Sequence, residues 1–333
     1  MEESFSSIIF SDSSVEFNVN QKSSVIKIND FIYSSQQAIC VLKGYAGTGK
    51  TYLISKVVKN LWKIKKPVIL LAPTGRSAKV LSSYCNKEAY TIHREIYYVK
   101  NNLSGNIDFS LKINKHKNTI FIVDEASMIP TVKKNENGLF SESLLDNIIK
   151  YVYSGFKCSL LIIGDLAQLP PIFSEKSLSL DEKFLNENYG LKVFSSELIE
   201  VVRQKENSGI LSLATYLRNL IEIDFVDELK INLSFYNDIK LIEDGDQLIN
   251  LLQDSYDEFG LQETAVIVRS NKRSNIYNKN IREKILCNEN IISVGDLLMV
   301  LKNNYHWLNN NQVGFIANGD IIKIEEILNI KEL

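Results

Sequence analysis

The sequence predicts an α/β fold built on an open, mostly parallel sheet. Short apolar runs at 38–42, 68–72, 119–123, 160–163 and 265–268 are rich in Val, Ile and Leu and carry no polar alternation. Strands buried on both faces read this way. After the first run, residues 51–63 place Leu53, Ile54, Val57, Val58, Leu61 and Trp62 at helical spacing. Pro67 breaks the chain before the second run, which completes a βαβ rhythm.

The segment 95–118 interrupts that rhythm. Two partly alternating stretches, 96–99 and 107–113, flank the turn-rich residues 101–106, and the pattern predicts an inserted β-hairpin. The polar stretch 133–138 reads as a loop. Beyond about Val202 the chain turns mostly helical, with a strand expected at 264–268. From Ile292 short strands of a small barrel are expected, the last at 321–324.

The chain has 333 residues, enough for about two domains of roughly 150 residues and a small third module. With 45% hydrophobic and 23% charged residues it is neither disordered, collagen-like nor a coiled coil. No apolar run approaches the ~18 residues of a membrane span. The first residues carry two acids and no basic stretch, so no secretory signal is expected. Cys40, Cys85, Cys158 and Cys287 lie far apart without CxxC spacing. That argues against structural zinc and a disulfide framework, and a cytoplasmic location is expected. A net charge of −2 gives no sign of a strongly basic nucleic-acid binder, though a local basic groove is compatible with it.

The strongest motif is Gly44-Tyr45-Ala46-Gly47-Thr48-Gly49-Lys50-Thr51, a full match to GxxxxGK[ST]. It follows a buried strand and opens an amphipathic helix, as its mechanism requires. Glycines let backbone N–H groups wrap phosphates, and the helix N-terminus adds a favourable field. Lys50 is expected to neutralise the β- and γ-phosphates of ATP, and the Thr51 hydroxyl to sit on Mg²⁺. Lys50→Ala is expected to abolish activity and leave the fold intact, on the reading of Lys50 as an exposed loop residue.

Such a cradle needs an acid at the end of a neighbouring strand. The run 119–123 ends in Asp124-Glu125. Asp124 is the candidate for the Mg²⁺ shell and Glu125 for the general base that polarises water. The same pair is also what a helix N-cap looks like. Gly164-Asp165-Leu166-Ala167-Gln168-Leu169-Pro170-Pro171 ends another strand, with Gln168 placed to sense a γ-phosphate.

Together these segments resemble superfamily 1 helicases, specifically the RecD/Dda-like group (superfamily 1B). Residues 44–51, 72–80, 119–129 and 164–172 are similar to that family's motifs I, Ia, II and III, in order and spacing. Residues 198–204 are similar to motif IV, 266–273 to the segment of the second motor domain containing Arg-Ser-Asn, and Asn318-Gly319-Asp320 to a turn of its SH3-like barrel. The resemblance implies a RecA-like first motor domain at 1–203 carrying the hairpin. A partial second RecA-like domain at 204–290 and the start of an SH3-like barrel at 291–333 follow from it.

The resemblance also implies residue roles. Gln21 corresponds to a glutamine that reads adenine, with Gln36 or Gln37 as weaker candidates. Arg203 corresponds to an arginine finger; a structural salt bridge is its alternative. Pro73, Thr74, Gly75, Arg76, Thr91, His93 and Asn271 correspond to DNA contacts that hold phosphates without reading sequence. In the family the hairpin splits the duplex, and Tyr97, Tyr98 or Phe109 would stack on a base; aromatics there also serve as a hairpin's own small core.

The implied function is ATP-driven, 5′→3′ translocation on single-stranded DNA with unwinding at duplex junctions, by a monomer, in DNA repair or recombination. A nucleotide-dependent DNA-binding switch and a non-catalytic ATP- and DNA-binding fragment are the alternatives. The family's last motifs, a T-x-H-K-x-Q-G segment and a second arginine, do not occur in these 333 residues. A truncated chain with little activity of its own is therefore the expectation.

Overall fold

The structure is a computed structural model and describes residues 4–12, 16–101, 107–131, 133–134, 140–141, 143–171, 174–201, 208–223, 236–304 and 316–329. It divides into two compact units. The first comprises Met1–Gln204 with Val300–Asp320, and the second Lys205–Met299 with Ile321–Leu333.

The first unit opens with α1 (Phe5–Phe10), α2 (Val19–Ile32), β1 (Ala38–Gly44) and α3 (Lys50–Leu61). There follow β2 (Val68–Ala72), α4 (Gly75–Cys85), β3 (Ala89–Thr91), α5 (Ile92–Ile96), β4 (Tyr97–Asn101), β5 (Ile107–Leu111) and β6 (Ile120–Val123). It continues with β7 (Lys133–Lys134), β8 (Phe140–Ser141), α6 (Leu144–Ser154), β9 (Ser159–Gly164), α7 (Glu182–Tyr189) and β10 (Lys192–Leu198). Six strands form one sheet in the order β10-β1-β9-β6-β2-β3, and every pairing in it is parallel. The fold is α/β.

Helices cover both faces, which is why the strands read as unbroken apolar runs. Cys40, Leu42, Leu70, Ile122 and Leu161 pack on one face against α1 to α4. Their neighbours Ile39, Val41, Leu71, Phe121 and Leu160 pack on the other against α5 to α7. Fully burying one such side chain contributes about 1.5–3 kcal/mol. Most of the helices start where a side chain caps them, α3 after Gly49 being an exception. Asn18 with Gln21, Thr74 with Ser77, and Ser143 with Asp146 each form a reciprocal capping box.

The hairpin insertion is β4 paired antiparallel with β5, from Tyr97 opposite Leu111 to Asn101 opposite Ile107. Its tip, 102–106, lies outside the described residues. The stretch expected to be a loop at 133–138 departs from that expectation at its start. Lys133 and Lys134 form β7, paired with Phe140 and Ser141, because two residues on each side suffice for a short antiparallel ladder.

The second unit holds α8 (Gly209–Glu222), α9 (Gly245–Phe259) and α10 (Asn271–Asn280), then the antiparallel pair β11 (Leu297–Met299) and β12 (Ile321–Lys323). The strand expected at 264–268 does not form. That segment has no ladder partner among the described residues, and Ile267 is 95% exposed. A parallel strand needs neighbours to take its N–H and C=O groups, so apolar composition alone did not make one here.

Candidate functional site

In a sheet of parallel strands all carboxyl ends lie along one edge, where open α/β sheets bind ligands. Here that edge gathers the phosphate-cradle sequence after β1, Asp124-Glu125 after β6 and the Asp165–Gln168 turn after β9. The registers keep these ends level: Lys43 sits opposite Gly164, and Val123 opposite Ile162.

The loop between β1 and α3 is tightly wound. Thr48 Oγ1 donates to the Tyr45 carbonyl at 2.8 Å, and the Thr48 N–H reaches the same oxygen at 3.3 Å. Gly49 adopts φ +86°, and a Cβ there would stand 2.6 Å from Gln21 Nε2. A Cβ on Gly44 would meet Thr48 Oγ1 at 2.8 Å. Both positions therefore require glycine, as a loop that presents its backbone to phosphates must.

Lys50 differs from its sequence reading. Its side chain is only 14% exposed, and its Nζ donates to the carbonyls of Gly44 at 2.6 Å and Tyr45 at 2.9 Å. Asp165 Oδ2 lies 3.9 Å from the same Nζ and is 4% exposed. The expectation that Lys50 is an exposed loop residue contributing little to stability is thus corrected. An ammonium folded back onto loop carbonyls and a buried carboxylate braces the loop it belongs to. Thr51, the second residue of α3, is partly buried.

Gln21 is buried, and both ends of its amide are engaged. Oε1 accepts from the Asn18 N–H at 3.2 Å, closing the cap of α2, and Nε2 donates to the Thr48 carbonyl at 3.4 Å. Gln21 therefore touches the loop directly. Gln36 lies at the opposite chain end of β1, just before Ala38.

Asp124 and Glu125 leave β6 in a constrained turn. Glu125 has φ +52°, a left-handed conformation that costs a non-glycine residue roughly 1–2 kcal/mol. Its N–H donates to Asp124 Oδ1 at 2.9 Å. Burial first, and the Glu125 charge second, push the Asp124 carboxyl up to about 6, while that hydrogen bond and the Lys50 charge pull it down. The alternative reading as a helix start holds only for one short turn, Ala126–Met128, which Glu125 precedes without capping it by its side chain.

Two residues that the sequence reading passed over complete this edge. Asp165 anchors its own turn by accepting from the Ala167 N–H at 2.8 Å, besides lying beside Lys50. Its signal was legible, since like Asp124 it is an acid directly after a buried strand. Ser127, fully buried, donates its hydroxyl to Gln168 Oε1 at 2.8 Å and so links the turn after β6 to that after β9. Nothing in the sequence marks a lone serine for this task. Among the described residues no group of three or more His, Cys, Asp or Glu is arranged to hold a metal. Arg203 lies outside the described residues.

The expected DNA contacts sit at the carboxyl ends of β2 and β3 and on the hairpin. Pro73 follows β2. Thr74 caps α4, accepting from the Ser77 N–H at 3.1 Å, and Gly75 is its first residue. Thr91 caps α5, accepting from the Arg94 N–H at 3.3 Å. Both hydroxyls thus have a structural task that the sequence reading overlooked. Arg76 donates to the Gly319 carbonyl at 3.1 Å, and Lys79 pairs with Asp320, all within the first unit.

His93, Tyr97 and Phe109 form a cluster of three rings with centroids 5.6–6.0 Å apart. Tyr98 and Phe109 are about half exposed, and Lys112 Nζ lies 5.7 Å from the Tyr98 ring centre. Asn271 opens α10 in the second unit and is exposed there. No helix among the described residues is long and apolar enough to cross a membrane.

Residues 30–174 match the family described as an AAA domain. The chain is 26% identical over 339 residues to the uncharacterized protein R530 of Acanthamoeba polyphaga mimivirus, covering 92% of this chain and 64% of that protein. It is 28% identical over 264 residues to the ATP-dependent DNA helicase dda of Enterobacteria phage T4, covering 78% of this chain and 55% of the helicase. A third similarity, 28% over 134 residues, is to the ATP-dependent RecD2 DNA helicase of Deinococcus radiodurans, covering 40% and 16%. The chain thus spans less than two thirds of each relative's length.

Proposed function

From the chain's place among superfamily 1 DNA helicases of the Dda/RecD type, we propose that it binds and hydrolyses ATP to move along single-stranded DNA and open duplexes. The observation that carries this reading is the shared edge of the sheet. There the glycine-wound loop and Lys50 after β1, Asp124-Glu125 after β6 and Gln168 after β9 lie along the same edge.

In this reading Lys50 leaves the Gly44 and Tyr45 carbonyls for the β- and γ-phosphates, which the N–H groups of residues 46–51 cradle. Thr51 and Asp124 would hold Mg²⁺, a small hard cation suited to oxygen ligands, which would neutralise charge on the phosphates. Glu125 takes a proton from the attacking water. Gln168, held by Ser127, orients toward the γ-phosphate, and Arg203 stabilises charge there. Gln21 supports the nucleotide through the loop it braces.

Pro73, Thr74, Gly75, Arg76, Thr91, His93 and Asn271 hold the strand by its phosphates, and Tyr98 and Phe109 offer faces for stacking. The half-exposed aromatics on the hairpin support a role at the duplex junction. Residues 204–290 as a partial second motor domain, residues 291–333 as the start of a barrel, the 5′→3′ direction and action as a monomer belong to the same proposal.

The test is steady-state ATPase with and without oligo-dT, followed by strand separation of a duplex carrying a 5′ tail. Hydrolysis that rises sharply with single strands, together with opening, is the expected result. ATP-dependent DNA binding without stimulated turnover would make the protein a switch. The absence of any nucleotide binding would refute the site.

A further inference from the structure

We propose that Glu95, His116 and Tyr151 form a positioning cluster that fixes the β4–β5 hairpin to the body of the first unit, so that duplex opening depends on it while ATP turnover does not. The inference rests on the reading of the chain as a DNA-unwinding motor. None of the three residues belongs to the nucleotide edge.

The hairpin leaves and re-enters the core on two adjacent legs. Glu95 lies on α5, on the outgoing leg, and His116 on the returning leg. His116 Nε2 meets Glu95 Oε1 at 3.0 Å, and the Tyr151 hydroxyl donates to the same oxygen at 2.8 Å. A carboxylate oxygen only accepts, so Nε2 carries the proton in this contact. One Glu95 oxygen thus ties both legs to α6, the helix packed on the sheet.

The cluster is sheltered, with the Glu95 side chain 16% and that of His116 35% exposed. Burial, and then the bond to Glu95, push the Tyr151 hydroxyl far above the usual phenol range, so it stays a donor. Hydrogen bonds to an ionised group in such surroundings are stronger than neutral ones.

The returning leg is fastened twice more. Asn114 Nδ2 donates to the carbonyls of Tyr151 at 2.9 Å and Val152 at 3.2 Å, and Asn114 Oδ1 accepts from the His116 N–H at 2.9 Å. The His116 ring stands edge-on to Phe121, 5.4 Å between centres, and Phe121 stands edge-on to Tyr151 at 5.8 Å. Phe121 belongs to β6, the strand that delivers Asp124 and Glu125. Hairpin base, α6 and β6 therefore meet in one packed group.

A two-stranded ribbon is at best marginally stable alone and takes its direction from its base. Here Tyr97 and Leu111, packed on the core, hold the pairing together apart from the Glu95 cluster. Loosening the base would leave the hairpin formed but free to swing. The force of a step along DNA would then dissipate in the hairpin and not reach the junction.

The experiment compares the native chain with His116→Ala, Glu95→Gln, Tyr151→Phe and the conservative His116→Gln, which keeps an N–H at similar reach. Base pairs opened per ATP are expected to fall about tenfold in His116→Ala, the equivalent of one charge-assisted hydrogen bond. Single-strand-stimulated ATPase should stay within about twofold, with His116→Gln restoring most of the coupling. Parallel loss of both activities would mean general destabilisation and would overturn the proposal, as would native coupling in every variant.

A second measurement does not depend on activity. Spin labels at Ser110→Cys on β5 and Lys150→Cys on α6, in a Cys287→Ser background, report the hairpin's angle. The distance distribution should be narrow in the native chain and broad in His116→Ala. An unchanged distribution overturns the proposal even if the native chain proves unable to open duplexes, an outcome that would refute the motor reading separately.

Discussion

Gln21 Nε2 donates to the Thr48 carbonyl at 3.4 Å, so a side chain from the first turn of α2 bears directly on the loop before α3. The same amide closes the cap of its own helix through Asn18. Gln21→Ala removes both contacts. Nucleotide affinity should fall roughly 2–12-fold, the value of one ordinary hydrogen bond. ATP and GTP should suffer alike, because both amide ends are spent on the protein. Titration with fluorescent analogues of both nucleotides measures this, and a loss confined to ATP would show that Gln21 reads adenine after all.

Lys50 holds two loop carbonyls and stands beside the buried Asp165. Lys50→Ala should therefore do two things at once. Nucleotide-dependent activity should vanish, and the melting temperature should drop, since a buried carboxylate loses its neighbouring cation at a cost of roughly 1–3 kcal/mol. Lys50→Ala combined with Asp165→Asn should recover much of the stability but none of the activity. Thermal melts of the two variants decide it; equal melting temperatures for Lys50→Ala and the native chain would mean that the bracing is not felt.

Ser127 positions Gln168 through one hydroxyl, 2.8 Å from Oε1, in a fully buried place. Ser127→Ala leaves the volume nearly unchanged and frees Gln168 to rotate. If Gln168 acts on the γ-phosphate at the moment of cleavage, kcat should fall about tenfold with KM nearly unchanged. Gln168→Ala should cost no less, and the double variant should show little further loss, since the two act as one unit. Additive losses in kcat would separate them.

The sheet was legible because strands buried on both faces must be apolar throughout; all four runs between 38 and 163 became strands. The edge strands escaped notice for the converse reason. Lys192–Leu198 mixes Lys, Ser and Glu with its apolar residues, and Ala89–Thr91 is three residues long. The glycine-rich loop announced itself through local chemistry, as did Asp124. Asp165 carried the same local signal as an acid after a buried strand, but the Ser127–Gln168 bond, the pairing of Asp165 with Lys50 and the Glu95–His116–Tyr151 group did not. The partners in these contacts lie 41, 115 and up to 56 residues apart along the chain, and only the folded sheet brings them together. The apolar run at 265–268 misled for a related reason, since a strand exists only with a neighbour to pair with.

Asp124 makes the apoprotein's stability depend on pH in an unusual direction. Burial and the adjacent Glu125 raise its carboxyl from 3.8 to about 6. An acid with a raised native value binds its proton more tightly when folded than when unfolded. Its proton therefore stabilises the fold at low pH, and that contribution is lost as pH rises through the window from about 4 to 6. Above it the ionised carboxylate sits in the native state at a cost of about 1–3 kcal/mol. Asp124→Asn cannot ionise. In EDTA, urea unfolding should find the variant more stable than the native chain at pH 7, with the two converging near pH 4. The same substitution should weaken nucleotide turnover, because a neutral amide is a poor ligand for Mg²⁺. Stability at pH 7 is then what the native chain gives up to keep a charged oxygen ready beside Glu125. Parallel stability profiles for variant and native chain across pH 4–7 would show that Asp124 ionises as freely as in the unfolded chain.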